Sequence, residues 1–434
     1  MEKMGLACPL AFLAGRTQRI KTHLLDLNHD CFLEIFSYLP SKDKLNLART
    51  HPMFRDVLVS SAKRRYARIN MRMLKRLTDW EYFFEICGLA VGECVLRHGC
   101  YDDEITLPFL SLLHQCKNLR HMQLIFVHSD KKETAENSGN ANILSLLQDM
   151  QLESLSLTDA KAVEVRQLQH FVTLQALHID GIDVELSDRD LELIFQALQQ
   201  LRRLSLRFTN QRSFPPLSNN CTQLEHLSLE NFNADITDIG KFSKLKTLRC
   251  NWRFYGRLNN QLFRTLAYSI RSSLEQLHLT AVRPDQVGYV LMLKRLKAFS
   301  CNIYPSEAVL DLQQLQQLQC LSLKTQPIRS FNELLTIIKA CNKLQHLKLG
   351  KNLLPNDMLL EQFLYLVNEH LQNHARAALV LTLDSNPNLL QNHLSASQAV
   401  LQMEKQPLLQ VKGPTSVCQL CKPDRHNKTE VFLN

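Results

Sequence analysis

Apolar and polar positions follow two regimes along this chain. Between 24 and 58 the spacing is helical. Phe32, Leu33, Phe36 and Leu39 recur at i, i+1, i+4 and i+7 and share one face, which predicts a helix over 30–39. Cys31, Ile35 and Tyr38 line a second face, so the helix is apolar on nearly all sides and has to be covered on nearly all sides. Pro40 stops it. Ser41 is placed to cap a second short helix carrying Leu45 and Leu47, and Pro52 suits the first turn of a third. A unit below roughly 40 residues buries too small a fraction of its own surface to hide both faces. The second face therefore calls for a partner.

From about residue 91 the period changes. The unit L-x-x-L-x-L, or a close variant, recurs as Leu119-Met122-Leu124, Leu152-Leu155-Leu157, Leu174-Leu177-Ile179, Leu201-Leu204-Leu206, Leu224-Leu227-Leu229 and Leu245-Leu248-Cys250. It continues through Leu274-Leu277-Leu279, Leu296-Phe299-Cys301, Leu318-Leu321-Leu323 and Leu344-Leu347-Leu349. Val91-Cys94-Leu96 and Ala378-Leu381-Leu383 extend it at the two ends. Most copies lie 21 to 29 residues apart, with 33 and 34 at two interruptions, a period that marks a stacked repeat array. Alternate leucines of each short strand enter a core shared with neighbouring repeats, and the residues between them face the other way. Helices expected at 187–201, 260–270, 331–340 and 355–371 cover the far side. In the first, Ser187 is cap-like and Leu191, Ile194, Phe195 and Leu198 form one stripe.

With these patterns in hand, the residues at 24–58 resemble the F-box. Leu27, Ile35, Phe36, Ser37, Tyr38, Leu39, Asp43 and Leu45 fit its pattern. Asn28 stands at its proline, Thr50 and His51 at its Val-Cys pair, and Phe54 at its Trp. A three-helix capping unit with a chance match is the plainer alternative. The array resembles leucine-rich repeats. Asn352 and Asn386 fall at that family's turn position. Cys116, Cys221 and Cys341 stand three residues before a strand leucine, and Ile236, Thr237 and Asp238 follow one strand; both details resemble the cysteine-containing subclass common in F-box proteins. The expected fold class is α/β: a short three-helix F-box, then a curved solenoid with parallel strands on the concave face and helices on the convex one. The expected organisation is a leader at 1–20, the F-box at 21–62, a basic linker helix and cap at 63–90, about 11–12 repeats at 91–391 and a tail at 392–434.

Composition changes this picture little. The net charge of +9 comes from 51 basic and 42 acidic residues, and seven of the basic ones fall within 63–76 with no acid among them. Arg65, Arg68, Arg72 and Arg76 fit one helical stripe there and Ile69, Met73 and Leu77 another. The stretch reads as an amphipathic connecting helix with a solvated face, or else a nuclear-import or acidic-partner patch. Thirteen cysteines without disulfide-like spacing point to a reducing compartment. No run of eighteen apolar residues occurs, so no spanning helix is expected. The apolar segment at 5–15 lacks the preceding positive charge of a signal peptide. Cys418 and Cys421, with His426 nearby, make only half a zinc site, and 129–142 is a polar interruption of the array. There is no glycine-rich phosphate loop, G-x-S-x-G or H-E-x-x-H, and only 12 glycines in all; catalytic residues, metal ligands and cofactors are therefore none.

The F-box resemblance implies an adaptor-binding set of Leu27, Asn28, Ile35, Phe36, Leu39, Asp43 and Leu45, docking on a Skp-family adaptor that in turn reaches a cullin and its RING subunit. The outward strand positions are the candidate contacts to a protein substrate: His178, Arg203, Arg207, His226, Arg249, His278, Lys324, His346 and Lys348. Arg203, Arg207 and Arg249 come from nearby repeats and could fork onto one oxyanion, which would favour an acidic or phosphorylated substrate. A generic polar face is the other reading. The histidines alternate between rows, which argues against a shared metal site. The resemblance thus implies a non-catalytic substrate receptor of a ubiquitin ligase, in cytoplasm or nucleus, with no membrane partner and nucleic acid not expected. The alternative is a scaffold or nucleic-acid-binding repeat protein with a vestigial F-box.

Overall fold

The computed structural model describes residues 24–98, 103–127, 143–182, 186–212, 217, 219–232, 237–251, 260–302, 306–323, 331–350, 357–374, 376–383 and 409–412. The expectations placed on 1–20, 129–142, Lys324, Asn352, Asn386, Cys418, Cys421 and His426 lie outside these residues.

Three helices open the chain: α1 (His29–Tyr38), α2 (Ser41–Thr50) and α3 (Pro52–Arg65). The stripe that the spacing assigned to one face is the buried one, with Phe32 and Phe36 fully enclosed and Leu33 partly. Phe54 of α3 closes the unit, its ring edge-on to Phe32 at 5.3 Å and tilted against Phe36 at 6.3 Å. Pro52 takes the first turn of α3, where its missing N–H costs nothing. Ser41 is not the cap expected of it. It is already helical, and Pro40 holds the cap position without a side-chain bond.

The connecting helix expected over 63–76 does not form. After Arg65 the chain bends and lays down β1 (Arg68–Asn70), parallel to β2 (Glu93–His98), with Ile69 opposite Cys94. Tyr66, Ile69 and Met71 are buried in the three positions that leucines hold elsewhere, so the array begins one repeat earlier than residue 91. The i, i+4 spacing of Ile69, Met73 and Leu77 mimics a helix. A strand wins because it gives the open edge of β2 its hydrogen-bonding partners.

Thirteen further strands follow β1 in one fourteen-stranded parallel sheet whose spatial order is the chain order. After β2 come β3 (His121–Phe126), β4 (Ser154–Thr158), β5 (Ala176–Ile182), β6 (Arg203–Arg212), β7 (His226–Phe232) and β8 (Thr247–Asn251). Then follow β9 (Gln276–Leu279), β10 (Ala298–Cys301), β11 (Cys320–Leu323), β12 (His346–Leu349), β13 (Leu379–Leu383) and β14 (Leu409–Lys412). β14 lies in the expected tail and pairs Leu409 with Leu379, so the sheet extends beyond 391. Both ends therefore exceed the eleven or twelve repeats that leucine spacing predicts.

Register explains the strict leucine spacing. Leu155, Leu177, Leu204, Leu227, Leu248 and Leu277 are successive partners across six strands, each buried between two neighbours. Helices pack behind them. Asp188–Ala197 begins at a capping box in which the Ser187 hydroxyl accepts the Asp190 N–H at 3.1 Å, and Leu191, Ile194 and Phe195 are buried as the stripe requires. The cysteines before the strands serve this packing. The Cys341 thiol donates to the carbonyls of Leu312 and Leu315, 3.7 and 3.6 Å away in the preceding repeat, and Cys221 does the same toward Phe195 and Leu198. The carbonyls of Leu312, Leu315 and Leu198 each accept a backbone N–H as well, so the thiol adds a second, weak donor that ties one repeat to the next. Near the end of β7, Asn231 stands at φ 58° and its amide donates to the Phe208 carbonyl at 2.9 Å.

One buried apolar cluster runs from Phe32 to Leu409, so helices and array share a core. The joint is α4 (Leu77–Cys87). Its Trp80 stacks on Phe84 and meets Phe83 and Phe109 edge-on, and its Asp79 accepts a bond from Arg49 of α2 at 2.8 Å. Among the described residues no helix is long and apolar enough to cross a membrane.

Candidate functional site

Two surfaces remain once the core is accounted for. The first is the outer side of α1. Leu24, Leu25, Leu27, Ile35 and Tyr38 are exposed, Tyr38 at 79% and Ile35 at 36%, on a unit whose core is closed around Phe32, Phe36 and Phe54. This is the uncovered second face that helical spacing required. Of the residues matched to an adaptor contact, Leu27, Asn28, Ile35 and Asp43 are exposed and Leu39 is half-buried. Phe36 and Leu45 are not on the surface. They are 0% and 1% exposed and belong to the three-helix core, where they hold the face in place. Leu24, Leu25 and Tyr38 join the exposed patch instead, and the sequence signal for Tyr38 was its place beside Ile35 on the second face.

The departures from the F-box pattern have local explanations. Asn28 has φ −70°, where a proline ring would hold it, and its side-chain oxygen accepts the Cys31 N–H at 2.9 Å. The backbone at the family's proline is thus kept and a cap bond gained. His51 caps α3 through Nδ1, which accepts the Met53 N–H, and its ring meets Phe54 at 5.9 Å. The basic run offers no continuous stripe. Arg65 donates to the Phe36 carbonyl, Arg68 pairs with Glu93 at 3.1 Å, and the rest is divided among a helix end, a strand and a single turn.

The second surface is the concave face of the sheet. Strand register sorts its residues into rows. His121, Ser154, Ala176, Arg203, His226 and Thr247 are successive partners in one row. Gln123, Ser156, His178, Ser205, Ser228, Arg249 and His278 form the next. Thr158, Asp180, Arg207, Glu230 and Asn251 form the third. The candidate substrate residues on described strands all take such positions, and His346 and Lys348 sit far along on β12. The expected three-arginine fork is not assembled. Arg203 and Arg207 are four residues apart on one strand, about 13 Å, and Arg207 is held by Asp180 at 3.3 Å and Glu230 at 3.7 Å. That ion triad occupies Arg207 with carboxylates from both flanking strands.

What the register does bring together is a dent over β4–β7, lined by Ser154, Ser156, His178, Arg203, Ser205 and His226. It exists because four neighbouring positions carry short side chains, the fourth being Ala176, while long polar ones rise around them. Farther along, the small concave residues Ala298, Ser300 and Ser322 are buried. Among the described residues no group of three or more His, Cys, Asp or Glu is arranged to hold a metal ion.

Residues 24–66 match the F-box domain family. The chain therefore joins an F-box to a leucine-rich-repeat solenoid through a shared core. It is similar to the solved structure of internalin C2 from Listeria monocytogenes, at 15% identity and a TM-score of 0.29 over 62% of this chain and 92% of that one. It is also similar to the leucine-rich repeat-containing protein LegL7 from Legionella pneumophila, at 14% identity and a TM-score of 0.37 over 64% and 89%. No curated protein matches the chain.

Proposed function

We propose that this protein is the substrate-receptor subunit of a cullin-RING ubiquitin ligase, its F-box docked on a Skp-family adaptor and its concave face holding a protein substrate. The observation that carries the reading is the exposed apolar patch of Leu24, Leu25, Leu27, Ile35 and Tyr38 on an F-box otherwise closed around Phe32, Phe36 and Phe54. Water contact with such a patch is unfavourable, and a partner that covers it gains roughly 25 cal/mol for each Å² of apolar surface removed from water. In this reading the chain performs no bond chemistry and works in the cytosol or nucleus. It places substrate lysines near a ubiquitin-loaded enzyme, so that two encounters become one within a single assembly.

Capture of a purified Skp-family adaptor by the full chain tests it. Wild type should retain the adaptor and Ile35→Asp should lose it, with the thermal melt unchanged because Ile35 is at the surface. Equal capture by both proteins, or none by wild type, would refute the assignment.

A further inference from the structure

The far half of the concave face carries a covalent feature that the repeats do not need. Eight described cysteines are free thiols, but Cys320, the first residue of β11, is disulfide-bonded. Of the thirteen cysteines this leaves Cys8, Cys100, Cys418 and Cys421 as partners, all outside the described residues. Chain reach separates them. Cys100 stands two residues beyond the end of β2, and β2 is nine strands, about 43 Å along the sheet, from β11. Two residues span only about 7 Å. Cys8 would have to cross the F-box and the ten strands from β1. Cys418 follows the end of β14 by six residues and Cys421 by nine, enough for about 20 and 30 Å. β14 is three strands, about 14 Å, from β11.

Burial marks the same place. Cys320 and Ala298 are partners at the first outward position, and both are 0% exposed. Ser154 and Ala176, equally short and in the same row, are partly open. We propose that Cys320 and one cysteine of the Cys418–Cys421 pair form a reversible disulfide that ties residues 413–434 across β13, β12 and β11, closing the far half of the concave face while the bond lasts. A hydroperoxide is the oxidant. One thiolate attacks the peroxide oxygen, the O–O bond breaks, and a sulfenic acid and water form; the second thiol then displaces the hydroxyl as a second water. Two thiols and one hydrogen peroxide thus give one disulfide and two waters. Two molecules of glutathione reverse it by exchange, leaving as their own disulfide. In the cytosol or nucleus of the receptor reading such a bond is transient and redox-sensing; the bond itself does not depend on that reading.

The test uses the full chain with hydrogen peroxide or glutathione. Samples are denatured in N-ethylmaleimide, digested with trypsin without reduction and mapped by mass spectrometry. After peroxide, peptide 298–324 should be joined to peptide 413–425, with fragmentation placing the bond on Cys320 rather than Cys301. After glutathione the two should separate with their cysteines alkylated. Acetylation of Lys348, on β12 under the path of the segment, should be several-fold slower in the oxidised chain, and that of exposed Lys117 unchanged. Cys320→Ser should remove both effects. So should Cys418→Ser combined with Cys421→Ser, which leaves the described core intact and keeps the test open if Cys320→Ser fails to fold. A bond from Cys320 to Cys8 or Cys100, or Cys320 alkylated after peroxide, would overturn the proposal. An unchanged Lys348 would do the same, as would one zinc held by the reduced chain and lost with Cys320→Ser, which assigns the thiols to a metal.

Discussion

Replacing Arg49 with alanine should loosen the F-box from the repeats far more than replacing its partner. Arg49 reaches from α2 to α4, donating to Asp79 at 2.8 Å and to the Thr78 carbonyl at 3.3 Å, with its guanidinium 4.8 Å from the centre of the Tyr82 ring. The two partners are unequal in solvent, the Arg49 side chain being 36% exposed and that of Asp79 8%. Arg49→Ala strands a buried carboxylate, a loss of about 3 kcal/mol at the low end for a broken buried pair, and removes a cation–π contact of about 0.5–1 kcal/mol. Asp79→Ala leaves a guanidinium that water can reach, at about 1 kcal/mol. Adding Asp79→Ala to Arg49→Ala removes the stranded charge, so the double variant should recover roughly 2 kcal/mol relative to Arg49→Ala alone. Native-state hydrogen exchange of α2 and α3 in low urea measures the opening free energy in each case. Additive losses, or an Asp79→Ala at least as damaging as Arg49→Ala, would refute the claim that one buried pair fixes the joint.

Three further outcomes follow from the same packing. Leu227→Ala should cost about 2–5 kcal/mol, read from urea unfolding, because the side chain fills space between two repeats; a loss below that range would show the repeats to be independent. Glu164 is buried, its carboxylate accepts the N–H groups of Ile143 and Leu144, and burial raises its pKa above the ordinary 4.5. The folded chain then keeps this proton to higher pH than the unfolded one, so stability declines as pH rises from about 4.5 through the raised value. Glu164→Gln lacks that decline, and its stability relative to wild type should increase with pH across that window; parallel urea midpoints would contradict it. Finally, burial pushes the thiols of Cys221 and Cys341 up to about 12 and about 11. Near pH 8 iodoacetamide should spare both in the folded chain while modifying exposed Cys31, as peptide mass spectrometry would reveal.

The array was legible because its leucines repeat in one dimension, and the uncovered face of α1 because helical spacing alone left Ile35 and Tyr38 without cover. β1 was not, since Tyr66 and Met71 stand where leucines mark the other repeats and Ile69 also fits a helical stripe. Phe36 and Leu45 matched the F-box pattern as well as Ile35 did, and only their burial in the three-helix core separates the residues that support the face from those that form it. The concave site depended on register. Asp180, Arg207 and Glu230 were each outward positions, but their pairing appears only when the repeats are set in columns. The same columns bring Ser154, Ala176 and Arg203 side by side. Aligning the repeats on their leucines would have revealed both.

The joint and the dent bear on one another through distance. β6 lies five strands from β1, about 24 Å along the sheet at the usual strand spacing, and the F-box packs against β1's own repeat through α4. Among the described residues every intermediate strand contributes a buried row to the one core, so the packing between the F-box and β6 is continuous. In the proposed receptor role, proximity is gained only as far as that path is stiff, because a hinge would spread a bound substrate over a larger volume and dilute its effective concentration. The Arg49–Asp79 pair sits where α2 meets α4, at the junction of the three helices and the repeats. If the proposed receptor role is right, loosening it should slow ubiquitin transfer to a bound substrate without weakening adaptor capture, which separates positioning from binding in a single reconstituted assay.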